Sequence, residues 1–203
     1  SGNTITTSGT SSVNLIGDAI LNGSSTTVTL AAGSTLTVAS GSGNTLQSAW
    51  GKASNVTLQG SNVSDTVGGS NSTLNITAQG TGDVLALSGY ETTLTQAGGS
   101  ALGSVSVTGS YDALNLSGSG VAIGVSGNSS TLNVSGDTVN VNGVATTVNG
   151  SGNTITTSGT SSVNLTGDAI LNGTGATINL GANSRLSIAE ATGPDTISAS
   201  HGA

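Results

Sequence analysis

Few side chains in this 203-residue chain can do chemistry. It has one histidine, His201, near the carboxyl terminus. A Ser-His-Asp triad would therefore have to form on the last few residues, where chains fray. Without cysteine there is no thiol nucleophile and no thiolate metal site. Lys52 and Arg185 are the only cations, too few for the Asp, Lys and Arg cluster of a β-helical polysaccharide lyase. The Gly-Ser-Gly-Asn segments at 41–44 and 150–153 lack the lysine and the helix start of a phosphate loop. The expectation is a chain with no catalytic residues and no enzymatic activity.

The acids offer one further chemistry. Asp18, Asp83, Asp137 and Asp168 each follow a glycine, and Asp65 and Asp195 precede a threonine. Gly80-Thr81-Gly82-Asp83-Val84 and Gly136-Asp137-Thr138-Val139 resemble the calcium-binding nonapeptide of RTX proteins. That resemblance implies calcium as the one ion to weigh, with Asp83 and Asp137 as its ligands. Against it, successive aspartates stand 18 to 47 residues apart, with no nine-residue register. Calcium needs six to eight oxygens, usually from several converging carboxylates. Aspartate that begins a strand after a turn is the simpler reading, so no cofactor is expected.

The positioning elements must be β. Gly numbers 33, charged residues are 5% and aromatics 1%, against about 25% charged in an ordinary domain. Glycine recurs every few residues and good helix formers are scarce, which excludes helices. At 33% hydrophobic, with Val, Leu, Ile and Ala evenly spread, the chain is too apolar for a flexible linker. A net charge of −7 excludes a basic nucleic-acid footprint. No apolar run is long enough to cross a membrane as a helix.

One pattern recurs: apolar, Thr or Asn, apolar, then a glycine turn. Examples are Val28-Thr29-Leu30, Leu74-Asn75-Ile76, Leu114-Asn115-Leu116 and Val163-Asn164-Leu165. Alternation sends Val, Leu and Ile to one face and Thr, Asn and Ser to the other. Such short strands need neighbours above and below. Leading apolar positions run Val13, Val28, Val56, Leu74, Leu94, Leu114, Leu132, Val148, Val163 and Ile178. From Val56 onward the steps are 15 to 20 residues. The fold expected is an all-β parallel β-solenoid over 1–203, one domain with coils of 15–20 residues. Ten to twelve coils would make a rod of roughly 50–55 Å. Segment Ala39–Ser54 fits the pattern least and reads as an irregular insertion.

The surface supplies candidate contacts. Trp50, in that segment, and the pair Tyr90 and Tyr111, about one coil apart, are the candidate partner or glycan contacts. Outward Thr-x-Thr pairs occur at Thr4/Thr6, Thr27/Thr29, Thr35/Thr37, Thr93/Thr95 and Thr154/Thr156. Ranked on one face they would resemble the ice-binding surface of β-helical antifreeze proteins. Tracts such as Leu30–Leu46 and Ser135–Gly143 resemble the Gly/Ser/Thr/Asn-rich repeats of secreted bacterial adhesin-like surface proteins. That resemblance implies an extracellular or cell-surface stalk, adhesin or biofilm-matrix fibre.

Finally, Ser1–Gly23 returns as Ser151–Gly173 with only Ile16 and Thr166 differing. The two stretches read as equivalent coils of one solenoid. The first coil is then an internal type of coil, not a cap, and something is expected to stack on it. Segment 185–203 departs most from the pattern and is the candidate cap or docking end. The expected partner is a second copy, stacked end to end through Ser1, Gly2, Asn3, Thr4, Ile5, Ile197 and Ser198, with lateral bundling. The alternative is a binding module for ice, glycan or calcium. Neither a nucleic-acid partner nor membrane insertion is expected.

Overall fold

The computed structural model describes residues 2–99, 102–158, 161–173, 175–190 and 194–199. Ser1 and His201 lie outside the described residues. Among the described residues there are 23 strands and no helix. Counted from the amino terminus, the 12 odd strands form one parallel sheet and the 11 even strands form another. Each turn of the chain contributes one strand to each sheet. The result is a parallel β-solenoid, as the sequence predicts, and its coils have two sheets. One turn takes 15 residues where Ser11 pairs Thr26, and 21 where Thr45 pairs Thr66. Eleven spacings of ~4.8 Å along the odd sheet give a rod of about 53 Å.

The core lies between the sheets and is filled by the inward side chains of each strand. Leu74, Leu94, Leu114, Leu132 and Val148 stack in register down the odd sheet, all without exposure. Leu85, Val105, Ile123, Val139 and Ile155 do the same down the even sheet. A fully buried aliphatic of this kind contributes about 1.5–3 kcal/mol. Each turn can bury its apolar edge only against the next, so stability is a sum over neighbours.

Three expectations need correction. The series of leading apolar residues is not one ladder: Val13 and Val28 pair in the even sheet, whereas Val56 belongs to the odd sheet. Segment 39–54 is no insertion. It holds the regular strand Thr45–Ser48, with Leu46 inward, between two ordinary corners. One apolar residue per strand suffices there because Asn44 and Ser48 fill the flanking inward positions. Segment 185–190 is likewise a solenoid strand, paired in parallel with Asp168–Gly173, and Thr196–Ala199 continues the odd sheet.

The duplicated stretches hold the least expected arrangement. Asn3–Thr6 is the first strand and lies in the odd sheet; its copy, Asn153–Thr157, is the eighteenth and lies in the even sheet. Seventeen strands amount to eight and a half turns. Each copy covers three strands, one and a half turns, so the two are not equivalent coils. The inward set is nevertheless the same: Asn153, Ile155, Val163, Leu165, Ala169 and Leu171 are buried where Asn3, Ile5, Val13, Leu15, Ala19 and Leu21 face inward. Both sheets ask the same alternation of their strands, so one sequence serves either.

Candidate functional site

The corners where odd strands lead into even ones carry a column of buried Asn and Asp caps. Asn44, Asp65, Asp83, Asp137 and Asn153 are all buried. Each turns an oxygen back to the backbone N–H at the matching position of the preceding turn. Asp65 accepts from Asn44 at 2.8 Å, Asp83 from Val63 at 2.9 Å and Asp137 from Val121 at 2.8 Å. Asn44 accepts from Thr26 and Asn153 from Asp137, both at 3.1 Å. At the opposite corners Asp112 accepts from Thr92 at 2.8 Å and Asp195 from Ala176 at 3.0 Å. The aspartates are thus hydrogen-bond caps between turns. Their second oxygens at Asp65, Asp83, Asp112 and Asp137 are buried without a hydrogen-bond partner.

That arrangement controls their titration. Burial pushes the carboxyls of Asp65 and Asp112 up to about 6, against the pull of the N–H groups they accept. Asp83 and Asp137 are raised for the same reason. Protonation at the unpartnered oxygen removes the buried charge while the other oxygen still caps the preceding turn. Asp83 and Asp137, the weighed calcium ligands, occupy one column three turns apart, with Gly103 and Val121 between them. Three spacings are about 14 Å, too far for one ion. No group of three or more metal-ligating side chains occurs among the described residues.

The opposite corners, from even to odd strands, repeat a motif that the sequence reading missed. Gly69-Ser70-Asn71-Ser72, Gly89-Tyr90-Glu91-Thr92, Gly109-Ser110-Tyr111-Asp112, Gly127-Asn128-Ser129-Ser130 and Gly143-Val144-Ala145-Thr146 stand on five successive turns. The glycines form a column: a Cβ on Gly109 would collide with the carbonyl of Gly89, and one on Gly127 with that of Gly109. The third residue is left-handed every time, with φ of 54°, 53°, 61°, 58° and 56°. Its N–H donates to the corner of the next turn, as Glu91 does to Ser110 and Tyr111 to Asn128. The fourth residue is buried and polar. The legible signal was glycine three residues before a small polar residue that itself precedes Thr-Leu, Ala-Leu or Thr-Val.

This edge also gathers every aromatic residue of the chain. Trp50 is 73% exposed, Tyr90 50% and Tyr111 56%. The two tyrosine rings meet edge to face, with centroids 5.4 Å apart and planes at 62°. Tyr90 bridges Ser70 on one side and Ser110 on the other.

The outer faces separate the threonine pairs. Thr4/Thr6, Thr35/Thr37 and Thr93/Thr95 lie on the odd sheet, whereas Thr27/Thr29 and Thr154/Thr156 lie on the even sheet. They form no single ranked array. The odd face instead carries an amide ladder: Asn75 donates to Asn55 at 3.1 Å, Asn115 to Thr95 at 3.2 Å and Asn149 to Asn133 at 2.9 Å.

The expected end contacts fall at the two ends of the odd sheet. Asn3 and Ile5 face inward on its first strand and Thr4 outward. Ile197 faces inward on its last strand, in register with Ile178 but 43% exposed, and Ser198 faces outward. Ile188, inward on the last even strand, is 49% exposed. Gly2 lies just outside the first strand, at a positive φ.

These features define a class: a two-sheet parallel β-solenoid built of repeated turns. The chain matches no protein-family model, no curated protein and no solved structure.

Proposed function

We propose that this chain is a structural, extracellular solenoid that lengthens a fibre, stalk or matrix filament by adding turns at its ends. One observation carries the reading: the turns stack as two continuous parallel sheets, and a strand of the duplicated sequence takes a neighbour on either side. Among the described residues the strand Asn3–Thr6 pairs with Asp18–Asn22. The same sequence at Asn153–Thr157 has that neighbour's copy on one side and Thr138–Val141 on the other. The inner copy therefore displays what the outer edge accepts: a parallel strand with Val-x-Val facing inward. A preceding segment of the same polypeptide or the far end of a second copy would satisfy it. At the far end Ile188 and Ile197 present apolar side chains of the same kind. An unpaired edge of this sort is a template for further pairing.

Electron microscopy and fibre diffraction of the purified chain test this. Filaments with a repeat near ~4.8 Å along the axis are expected. Ile5→Lys, which puts a charge on the inward edge, should leave the fold intact and abolish filaments. Wild-type chains that stay monomeric at every concentration would sink end-to-end assembly.

A further inference from the structure

The edge bearing Trp50, Tyr90 and Tyr111 has no counterpart across the rod. The opposite corners present no ring: they expose small polar residues, as at Gln59-Gly60-Ser61-Asn62 and Gln79-Gly80-Thr81-Gly82, over the buried caps Asp65 and Asp83. Nothing in the fold asks for aromatics at the corners that have them. The core is aliphatic, and all three rings are at least half exposed. Tyr111 and Glu91 moreover hold the left-handed conformation of that corner, where other turns use the smaller Gly51, Asn71, Ser129 and Ala145. That conformation disfavours any residue with a bulky side chain, and a chain with 33 glycines keeps Tyr and Glu there. A backbone outlier retained at an exposed aromatic is grounds for a functional reading.

The spacing says what the edge would hold. Ser70 pairs with Tyr90, and Ala53 with Thr73, so Trp50 stands at the Ser70 position one turn earlier. Trp50 and Tyr90 are therefore in one column, two turns apart, about 9.6 Å along the axis. That is close to the length of one disaccharide in an extended, equatorially linked polysaccharide. Such sugars present flat C–H faces that stack on exposed rings, and hydroxyls that need donors and acceptors. Between and beside the rings stand Ser70, Asn71 and Asn128, exposed and uncharged, with the Glu91 carboxylate at the centre. Tyr and Trp supply an apolar body with a polar tip, the combination such contacts use.

We propose that this edge is a binding site for a linear, uncharged, β-linked polysaccharide lying along the rod axis. Trp50 and Tyr90 stack on alternate sugar rings, Tyr111 buttresses Tyr90, and Glu91 and Asn71 accept and donate to the hydroxyls between them. The site needs four adjoining turns and no second copy, so it stands or falls apart from filament assembly.

Pull-down of the full chain on microcrystalline cellulose and on chitin tests it, with the unbound fraction measured across protein concentrations. Retention on one of these is expected, and α-linked amylose should not compete. Trp50→Ala and Tyr90→Ala should each weaken retention at least tenfold with melting temperature unchanged, while Tyr90→Phe should retain most of it. Thr81→Ala, on the opposite edge, should have no effect. Wild-type chain retained on neither solid would overturn the proposal. So would aromatic variants that bind as well as wild type.

Discussion

The stretch at 1–23 recurs at 151–173 with a single difference, over strands one to three and eighteen to twenty, and the two copies live differently. At 153–171 the copy is interior: Asn153, Ile155 and Leu171 are essentially inaccessible. At 3–21 the matching Asn3 is exposed and Ile5 only half-buried, although Leu21, two strands further in, is as buried as its twin. Sequence decides which side chains face inward; the neighbouring turn decides whether they are buried. The copies also occupy opposite sheets, which shows that the half-turn, one strand and one corner, is the unit the sequence specifies.

The sharpest way to break this comparison is in the core. Ile155→Ala should cost about 2–5 kcal/mol in denaturant unfolding, because its site is closed on both sides. Ile5→Ala should cost well under half of that while the first strand has one neighbour. In assembled filaments the two variants should converge, and equal losses in the monomer would undo the comparison. Next comes the corner amide. Asn153 accepts from Asp137 and donates to the carbonyls of Val134 and Gly150. Asn153→Ala strands those groups and should cost about 1–3 kcal/mol, while Asn3→Ala should change the melting temperature little.

Titration separates the copies from the turns between them. Where the copies place Asn, the intervening turns place aspartates whose folded-state carboxyls are raised, at Asp65 and Asp112 to about 6. A raised carboxyl favours the folded state when protonated. That contribution is full below the ordinary value of 3.8 and is lost as pH rises through about 6. The melting temperature should therefore fall between pH 4 and pH 7. Asp65→Asn with Asp112→Asn should flatten that fall, since Asn already serves at Asn44 and Asn153. A profile unchanged by the double variant would exclude these carboxyls as its source. The smallest effect concerns the one difference between the copies. Ile16 is 86% exposed at a corner, so Ile16→Thr should shift stability by less than about 0.5 kcal/mol.

Much of the architecture was legible because alternation has a fixed period and glycine marks the corners. What could not be read is which sheet a strand joins. Val13, Val28 and Val56 carry the same signal, and only the register places the first two opposite the third. The left-handed corners at Glu91 and Tyr111 were hidden for a different reason. Neither residue type announces that conformation; stacking beneath Asn71 imposes it. The aromatic edge was visible as three residues but not as an edge, because Trp50 sat in a segment that looked irregular until the strand Thr45–Ser48 was seen inside it.

Seven of the corner caps reach the same way. Asn44, Asp65, Asp83, Asp112, Asp137, Asn153 and Asp195 each close an N–H of the turn before their own. Every such turn is thus completed by residues that come later in the chain. A polypeptide emerging amino end first, from a ribosome or through a secretion channel, would therefore lack these caps only at the turn it laid down last.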